Sequence, residues 1–283
     1  MAEFRGKSFT DARLAKVLQS RPRLKILRLF DTSVTDAGIR SVEKAAQLEE
    51  LNITSPLMGN AVLEVECHLP KLRSLLLGRM LKVDDAGLRH LRDLTHLREL
   101  YLEGTSITDA GLELLQPLKE LWSLDISNAL VTDAGLRILG DLPKLVLLLI
   151  ENTCVRGEGL AFLHRSERLD VYAARCPLAD ERLDASLRSL PNLRRLDVSE
   201  TPIGDAGMLS VKCCQALDDL RLDSTNVSDA TLELVVDLPR LDSLYTWDTR
   251  ITKEALSRFR KRRPDVTVYS DPPDKPGILP RTW

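Results

Sequence analysis

Leucine returns along this chain at a nearly constant interval. The pattern L-x-x-L-x-L, with aliphatic exchanges, begins ten times, and every interval is 24 residues except for one of 25. The starts are Leu24, Leu48, Leu72, Leu97, Leu121, Leu145, Leu169, Leu193, Leu217 and Leu241. The last two leucines of each copy are two residues apart, so they point to one side of a strand and their neighbours point to the other. Each unit therefore predicts a short strand with one buried face.

A second motif follows most of these strands and predicts a helix. Its clearest copies read V/I-T-D-A-G-I/L at residues 34–39, 107–112 and 131–136, with variants at 203–208 and 227–232. In the second copy, Thr108 stands at an N-cap position and Asp109 places negative charge in the first turn. Leu112 and Leu115 are spaced for one helical face, and Pro117 ends the helix.

A unit of this length cannot bury its own apolar face, whereas stacked units can. We therefore predict an α/β solenoid with a parallel sheet on its concave side and short helices on its convex side. It covers residues 1–270, with a partial first unit, ten repeats from Leu24 and a shortened last unit. Residues 271–283 form a Pro-rich tail, which we expect to fold back as a cap. Because the chain starts inside a repeat, either it is a trimmed fragment or something covers that edge.

Three units depart from the pattern. Asp184 falls where a core leucine is expected, an extra residue lies around Met80 to Lys82, and residues 59–62 replace the T-D-A-G motif. Drift in a tolerant repeat is the favoured explanation, and we expect local shifts at these places.

The two motifs together resemble leucine-rich repeats, in particular the cysteine-containing repeats of F-box receptor proteins and their bacterial relatives. Those repeats often carry Cys where this chain has Thr, and residues 213–217 come close to the cysteine form. The threonines are Thr32, Thr105, Thr153, Thr201, Thr225 and Thr249. The resemblance implies a right-handed, horseshoe-shaped solenoid that binds other proteins. It also implies an alternative, a substrate-receptor subunit of a ubiquitin-ligase-like complex that lacks its adaptor-binding segment.

The composition and charge of the chain disfavour several classes of function. The chain has 283 residues with 40 Lys+Arg against 42 Asp+Glu, a formal net charge of −2. This balance disfavours a nucleic-acid partner. We find no secretory signal and no apolar run of about 18 residues, so we expect no membrane span. The five cysteines are scattered and odd in number, which is typical of a protein of the reducing cytoplasm.

The chain carries no nucleotide-binding or hydrolase motif, and its histidines and cysteines are dispersed over different units. The repeated D-A-G has a structural role, because it recurs at almost every helix start. The glycines Gly38, Gly87, Gly111, Gly135, Gly159 and Gly207 share one register position, which indicates tight packing of each helix on its neighbour. We therefore expect a non-enzymatic protein with no cofactor and no metal.

The concave face is the predicted binding site. Its acidic excess favours a basic protein or peptide, and its aromatic residues are typical binding anchors. Two alternatives stay open: Trp247 packs under the tail, and the acids only solubilise the surface. The basic run from Arg258 to Arg263 is interpreted as the cationic end of a helix. The predicted contact residues are Tyr101, Glu103, Asp125, Glu151, Asp197, Arg221, Asp223, Tyr245, Trp247 and Tyr269.

Overall fold

The computed structural model describes residues 1–66 and 68–271. Within them, twelve strands form one parallel sheet in which spatial order follows chain order. The strands β1 to β12 are Ala2–Arg5, Ile26–Phe30, Glu50–Thr54, Ser74–Gly78, Glu99–Tyr101, Ser123–Asp125, Leu147–Leu149, Leu169–Tyr172, Leu193–Asp197, Asp219–Arg221, Ser243–Tyr245 and Thr267–Tyr269. This is the solenoid that the repeat predicts, with the sheet on the concave side.

Short helices alternate with the strands. The α-helices α1 to α9 of the described residues are Asp11–Ser20, Asp36–Ile39, Ala61–Glu66, Asp85–Leu88, Asp109–Glu113, Asp133–Leu139, Asp180–Leu187, Asp229–Val235 and Lys253–Arg262. Segments of 3-10 helix are Arg40–Lys44, Arg89–Leu91, Glu158–Arg165, Asp205–Met208 and Val211–Cys213.

The core is a stack of aliphatic side chains between the sheet and the helices. One ladder runs through the strands from unit to unit, and each of its members is fully buried. It consists of Leu27, Leu51, Leu75, Leu100, Leu124, Leu148, Val171, Leu196, Leu220 and Leu244. Each unit thus buries its apolar face against its neighbours, which none could do alone.

The aspartate of the T-D pair joins neighbouring units. Thr108 caps α5 by accepting a hydrogen bond from the Ala110 N–H at 3.3 Å. Its own N–H and hydroxyl donate to Oδ1 and Oδ2 of Asp85, one unit earlier, at 2.8 and 2.6 Å. We call this pair of bonds the Asp–Thr clamp. It recurs, with Ser in place of Thr once, at Asp11–Thr35, Asp109–Thr132, Asp205–Ser228 and Asp229–Thr252. The aspartate therefore does more than place charge at a helix start.

The clamp also explains the glycine that follows it. A Cβ on Gly111 would lie 2.3 Å from Asp85 Oδ1, and one on Gly135 would lie 2.4 Å from Asp109 Oδ1. Tight packing against the neighbouring unit is confirmed. At Gly111 and Gly135 the nearest group is the clamp carboxylate, whereas at Gly159 it is the backbone carbonyl of Asp133, at 2.8 Å.

The unit assigned to Leu169 is out of register by one residue. Val171, not Tyr172, is the core partner of both Leu148 and Leu196, so intervals of 23 and 25 residues replace two of 24. The strand pairing shifts at Leu169–Asp170 accordingly. Arg175, which a regular interval of 24 residues would place on the concave face, occupies the turn after the strand, with φ of 60°.

The corrected register places a cysteine at the repeat's threonine position. In the regular units this threonine is buried and bonds its own loop, as when Thr105 Oγ1 donates to the Leu102 carbonyl at 2.7 Å. Cys176 takes this place, and its thiol donates to the Ile150 carbonyl at 3.0 Å. Cys214 is also buried in the core, and burial raises its pKa to about 12.

The other irregular units keep the fold by local changes. Asp184 is buried and accepts hydrogen bonds from Ser210 N–H and from Arg188, both at 2.7 Å. Where residues 59–62 lack the motif, Asn60 replaces the clamp aspartate and bonds Asp84 in both directions, at 2.7 and 3.1 Å. Beside the extra residue, Leu81 loops out and is 73% exposed.

At the two ends the predicted partial strands form as β1, which contains Phe4, and β12. The predicted cap involves residues 272–283, which lie outside the described residues. In the basic run, Arg263 directly follows α9 and donates to three backbone carbonyls, those of Val236 and Leu238 in the preceding unit and that of Leu241 at the start of its own unit. Arg262 pairs with Glu233 at 2.6 Å. The structural interpretation of this run is thus confirmed for these two arginines.

Candidate functional site

The candidate site lies on the inner face, the side of the sheet that points away from the core. A middle row of strand partners crosses it: Tyr101, Asp125, Leu149, Tyr172, Asp197, Arg221, Tyr245 and Tyr269. A second row follows at the strand ends: Glu103, Ser127, Glu151, Ala174, Ser199, Asp223 and Trp247. All ten residues predicted from the sequence lie in these two rows.

The centre of the inner face is closed to solvent, which the sequence did not indicate. Asp125 was expected as an exposed contact residue, but it is 1% exposed, and its Oδ1 accepts a hydrogen bond from Ser127 N–H at 2.9 Å. Ser123 donates to the Tyr101 hydroxyl at 3.0 Å, and Leu149 is 3% exposed. Small and medium side chains crowd between larger neighbours here, so this part of the face offers little surface to a partner.

Aromatic rings gather at the C-terminal end of the middle row. Tyr245 stacks on Tyr269 with ring centres 4.3 Å apart, and Tyr269 is 46% exposed. The Arg221 guanidinium lies 4.8 Å from the Tyr245 ring and 5.7 Å from the Tyr172 ring. Cation–π contacts of this kind hold the rings in place. Trp247 is half-buried at the end of the next row.

Tyr172 belongs to this aromatic group, but we did not select it from the sequence. In the pattern that starts at Leu169, it falls on a core position. The signal that could have found it is the alternation of Val171 and Ala173, both fully buried, with Cys176 at the threonine position.

Carboxylates border the aromatic group. Asp219 binds Arg221 through both oxygens, at 3.0 and 3.4 Å. Asp223 Oδ1 accepts a hydrogen bond from Trp247 N–H at 2.7 Å. The pKa of Asp223 is raised to about 6, chiefly by burial and also by the negative charges of Asp197 and Asp219, while that hydrogen bond and Arg221 act in the opposite direction.

Asp197 is more deeply placed than expected, with 5% exposure. Its Oδ1 accepts a hydrogen bond from Ser199 N–H at 2.9 Å. Burial raises the pKa of this carboxyl as well. Burial therefore disfavours the ionised form of both carboxylates, Asp197 at the end of β9 and Asp223 just after β10.

The described residues contain no group of three or more metal-ligating side chains and no helix long and apolar enough to cross a membrane. What the inner face offers is an aromatic and acidic surface.

Comparison with known proteins supports the fold. The family profile described as "Leucine Rich repeat" matches residues 93–115 and 189–212. No curated protein sequence matches the chain. Among solved structures, an internalin from Listeria monocytogenes is similar, with a TM-score of 0.56 and 16% sequence identity over 89% of this chain and 81% of that chain. Two of its repeats match the leucine-rich repeat profile, and the fold of this chain is that of a leucine-rich repeat solenoid.

Proposed function

We propose that this protein is a non-enzymatic scaffold that binds a protein or peptide on the inner face, at its C-terminal end. The observation that carries the proposal is the aromatic group of Tyr245, Tyr269 and Trp247, which is partly exposed on an open sheet face. Aromatic side chains held rigid at an exposed position are the residues that most often dominate binding energy. Solenoids present their concave surfaces for such contacts.

The charge of this surface favours a basic partner. On the strands β8–β12 and directly after them, the inner face carries four carboxylates and two guanidinium groups among the described residues: Asp170, Asp197, Asp219 and Asp223 against Arg195 and Arg221. Complementary charge steers association and discriminates among partners. We also propose a cytoplasmic setting, in keeping with the exposed free thiol of Cys154. The ubiquitin-ligase alternative rests on the repeat resemblance and stays a prediction.

Affinity capture with face variants tests the proposal. We expect proteins retained by the wild type to be lost with Tyr269→Ala and with Trp247→Ala. Phe162→Ala is the matched aromatic control, because Phe162 is 39% exposed and lies in the 3-10 segment Glu158–Arg165, outside the sheet. Circular dichroism confirms that each variant is folded. If every captured protein is retained equally by all three variants, the inner face is not the binding surface.

A further inference from the structure

We propose that the edge of the sheet at which β3 to β7 begin binds an acidic peptide segment of a partner protein. The carboxylates of the segment would lie on Arg73 and Arg98, and its apolar side chains on Trp122. This surface lies outside the inner face, so the inference goes beyond the proposed scaffold function and does not depend on it. We call it the basic edge and define it as residues 46–49, 70–73, 95–98, 119–122 and 143–146.

The basic edge carries more positive than negative charge. Its five cations are Lys71, Arg73, Arg98, Lys119 and Lys144, against the two carboxylates Glu49 and Glu120, so its net charge is +3 with His96 neutral. The equivalent residues around Leu193, Leu217 and Leu241 (191–194, 215–218 and 239–242) carry two arginines and two aspartates and are neutral together. The surplus is therefore a property of these units and not of the repeat.

Both carboxylates of the basic edge are already engaged by lysines. Glu49 pairs with Lys25 at 2.8 Å, and Glu120 pairs with Lys144 at 2.6 Å. These hydrogen bonds lower the pKa of both carboxyls, with weaker contributions from other cations of the edge. The two acids therefore leave the remaining cations of the edge largely uncompensated.

Arg73 and Arg98 are the cations that a partner can use. Each attracts a carboxylate of the edge from a distance, but no described residue forms a hydrogen bond or an ion pair with either guanidinium group. Both side chains are exposed. Their planar forks are therefore available for carboxylates of another molecule, in charge-assisted hydrogen bonds.

The backbone places these arginines in one row with an indole. Arg98 N–H donates to the Arg73 carbonyl at 2.8 Å, and Trp122 N–H donates to the Arg98 carbonyl at 2.9 Å. Val146 N–H donates to the Trp122 carbonyl at 2.9 Å and continues the row. Neighbouring strands are about 4.8 Å apart, so the row is about 14 Å long, and an extended peptide of about five residues spans it.

The apolar half of this row is open as well. Trp122 is 36% exposed, and no described cation lies over its ring. Beside Arg73, the edge contains a cleft of about 300 Å³ that is lined by Glu49, Pro70, Lys71, Arg73 and His96. A cleft of this size holds a single side chain of a partner. Tryptophan and arginine are also the residue types that most often dominate binding energy.

The arrangement fits an acidic peptide better than a nucleic acid. Glu49 and Glu120 flank the two arginines and would repel a continuous phosphate backbone, whereas a peptide can place its carboxylates only where the arginines lie. Along the row, cations are followed by apolar side chains. The complementary segment therefore has acidic residues followed by apolar ones.

NMR titration of the ¹⁵N-labelled full-length protein tests the proposal. The probe is the acetylated peptide amide Glu-Glu-Glu-Leu-Leu, and Gln-Gln-Gln-Leu-Leu is its uncharged control, both in about 0.15 M salt. The indole N–H resonances are assigned with Trp122→Phe and Trp247→Phe. We expect the acidic peptide to shift the Trp122 resonance and to leave that of Trp247 unchanged, and the glutamine peptide to shift neither. Arg73→Gln and Arg98→Gln should each weaken binding by about two- to fivefold, and together by about tenfold.

Arg240→Gln is the matched control, because Arg240 is exposed on the same side of the sheet, directly before Leu241, where positive charge is not in excess. Its affinity should equal that of the wild type, and far-UV circular dichroism shows that each variant is folded. An unshifted Trp122 resonance, equal affinities of the wild type and the double variant, or an equal loss with Arg240→Gln would overturn the basic edge. Tighter binding of a short oligothymidylate than of the acidic peptide would also overturn it, since the edge would then be a nucleic-acid surface. None of these outcomes bears on the inner face, which is tested through Tyr269 and Trp247.

Discussion

The Asp–Thr clamp makes a quantitative prediction about the glycine beside it. Asp85→Ala removes two charge-assisted hydrogen bonds to Thr108, and because both residues are half-buried we expect a loss of about 2 kcal/mol in the free energy of unfolding. Gly111→Ala places a Cβ 2.3 Å from Asp85 Oδ1, so the carboxylate must move away and the same bonds are lost. A gain in helix propensity of about 1 kcal/mol offsets part of this cost.

The double variant separates this mechanism from ordinary helix packing. Once Asp85 is alanine, Gly111→Ala displaces no carboxylate, and the remaining close atom is the flexible Cδ1 of Leu88 at 2.9 Å. We expect the second substitution to be neutral or to stabilise by up to about 1 kcal/mol. The two changes should thus be coupled by about 2 kcal/mol.

Urea denaturation followed by far-UV circular dichroism measures the four free energies. The control is Asp85→Ala with Gly207→Ala, whose Cβ would meet Asp180 Oδ1 at 2.7 Å in a distant unit. These two effects should add. If the effects of Asp85→Ala and Gly111→Ala also add, the glycine is not required by the clamp and our reasoning is refuted.

Three further predictions concern single side chains. Arg263→Ala loses its hydrogen bonds to three backbone carbonyls, so urea denaturation should show a free energy of unfolding lower by about 2–4 kcal/mol. The control Arg262→Ala removes only an exposed ion pair with Glu233 and should cost less than about 1 kcal/mol. Equal losses in the two variants would contradict this. Asp184→Leu restores the repeat pattern but leaves the buried Ser210 N–H without an acceptor, so we expect about 1–3 kcal/mol of destabilisation, and a gain would disprove the role given to Asp184. The pKa of Asp223 is higher in the folded than in the unfolded chain, so its stabilising effect is complete below pH 4 and is lost as the pH rises through 6. Asp223→Asn should therefore become more stable relative to the wild type between pH 4 and 7, and parallel melting-temperature profiles would rule this out.

The repeat predicted the strands and the core because each unit packs between two neighbouring units of similar structure. Leu124 and Leu148, for example, occupy equivalent positions in adjacent strands and are both fully buried. In a solenoid the contacts are between nearest neighbours, so a pattern that holds for one unit holds for the stack.

The register of β8 could not be read from leucine alone. Leu169 fits the pattern and is buried, but the true core positions carry the smaller Val171 and Ala173. Leucine or valine can occupy the core positions in either of two registers that differ by one residue. Both registers fit the hydrophobic periodicity, so only the strand pairing distinguishes them.

The clamp was missed for a different reason. Thr108 and Asp109 are adjacent in sequence and suggest an interaction within one helix start. Thr108 does cap its own helix, but the clamp bonds run to Asp85 and to Thr132, 23 residues away in either direction, and only the stacking of units brings these groups together.

For the candidate site, the period of two along a strand placed every selected residue on the correct face. It could not give the depth of each side chain, which depends on the size of its lateral neighbours. Asp125 and Asp197 are buried for this reason, while Tyr269 at the last strand stays open.

Because each strand pairs only with those next to it in the chain, no strand pairing among the described residues ties one end of the sheet to the other. Tension applied to the two ends would detach the repeat units one at a time, and a unit held by an Asp–Thr clamp would break that clamp as it leaves. A ligand that lies across β8–β12 would supply the missing cross-tie, since no unit under it could leave while the ligand stayed bound. The protein would therefore resist mechanical unfolding most strongly in the units that contact the bound ligand.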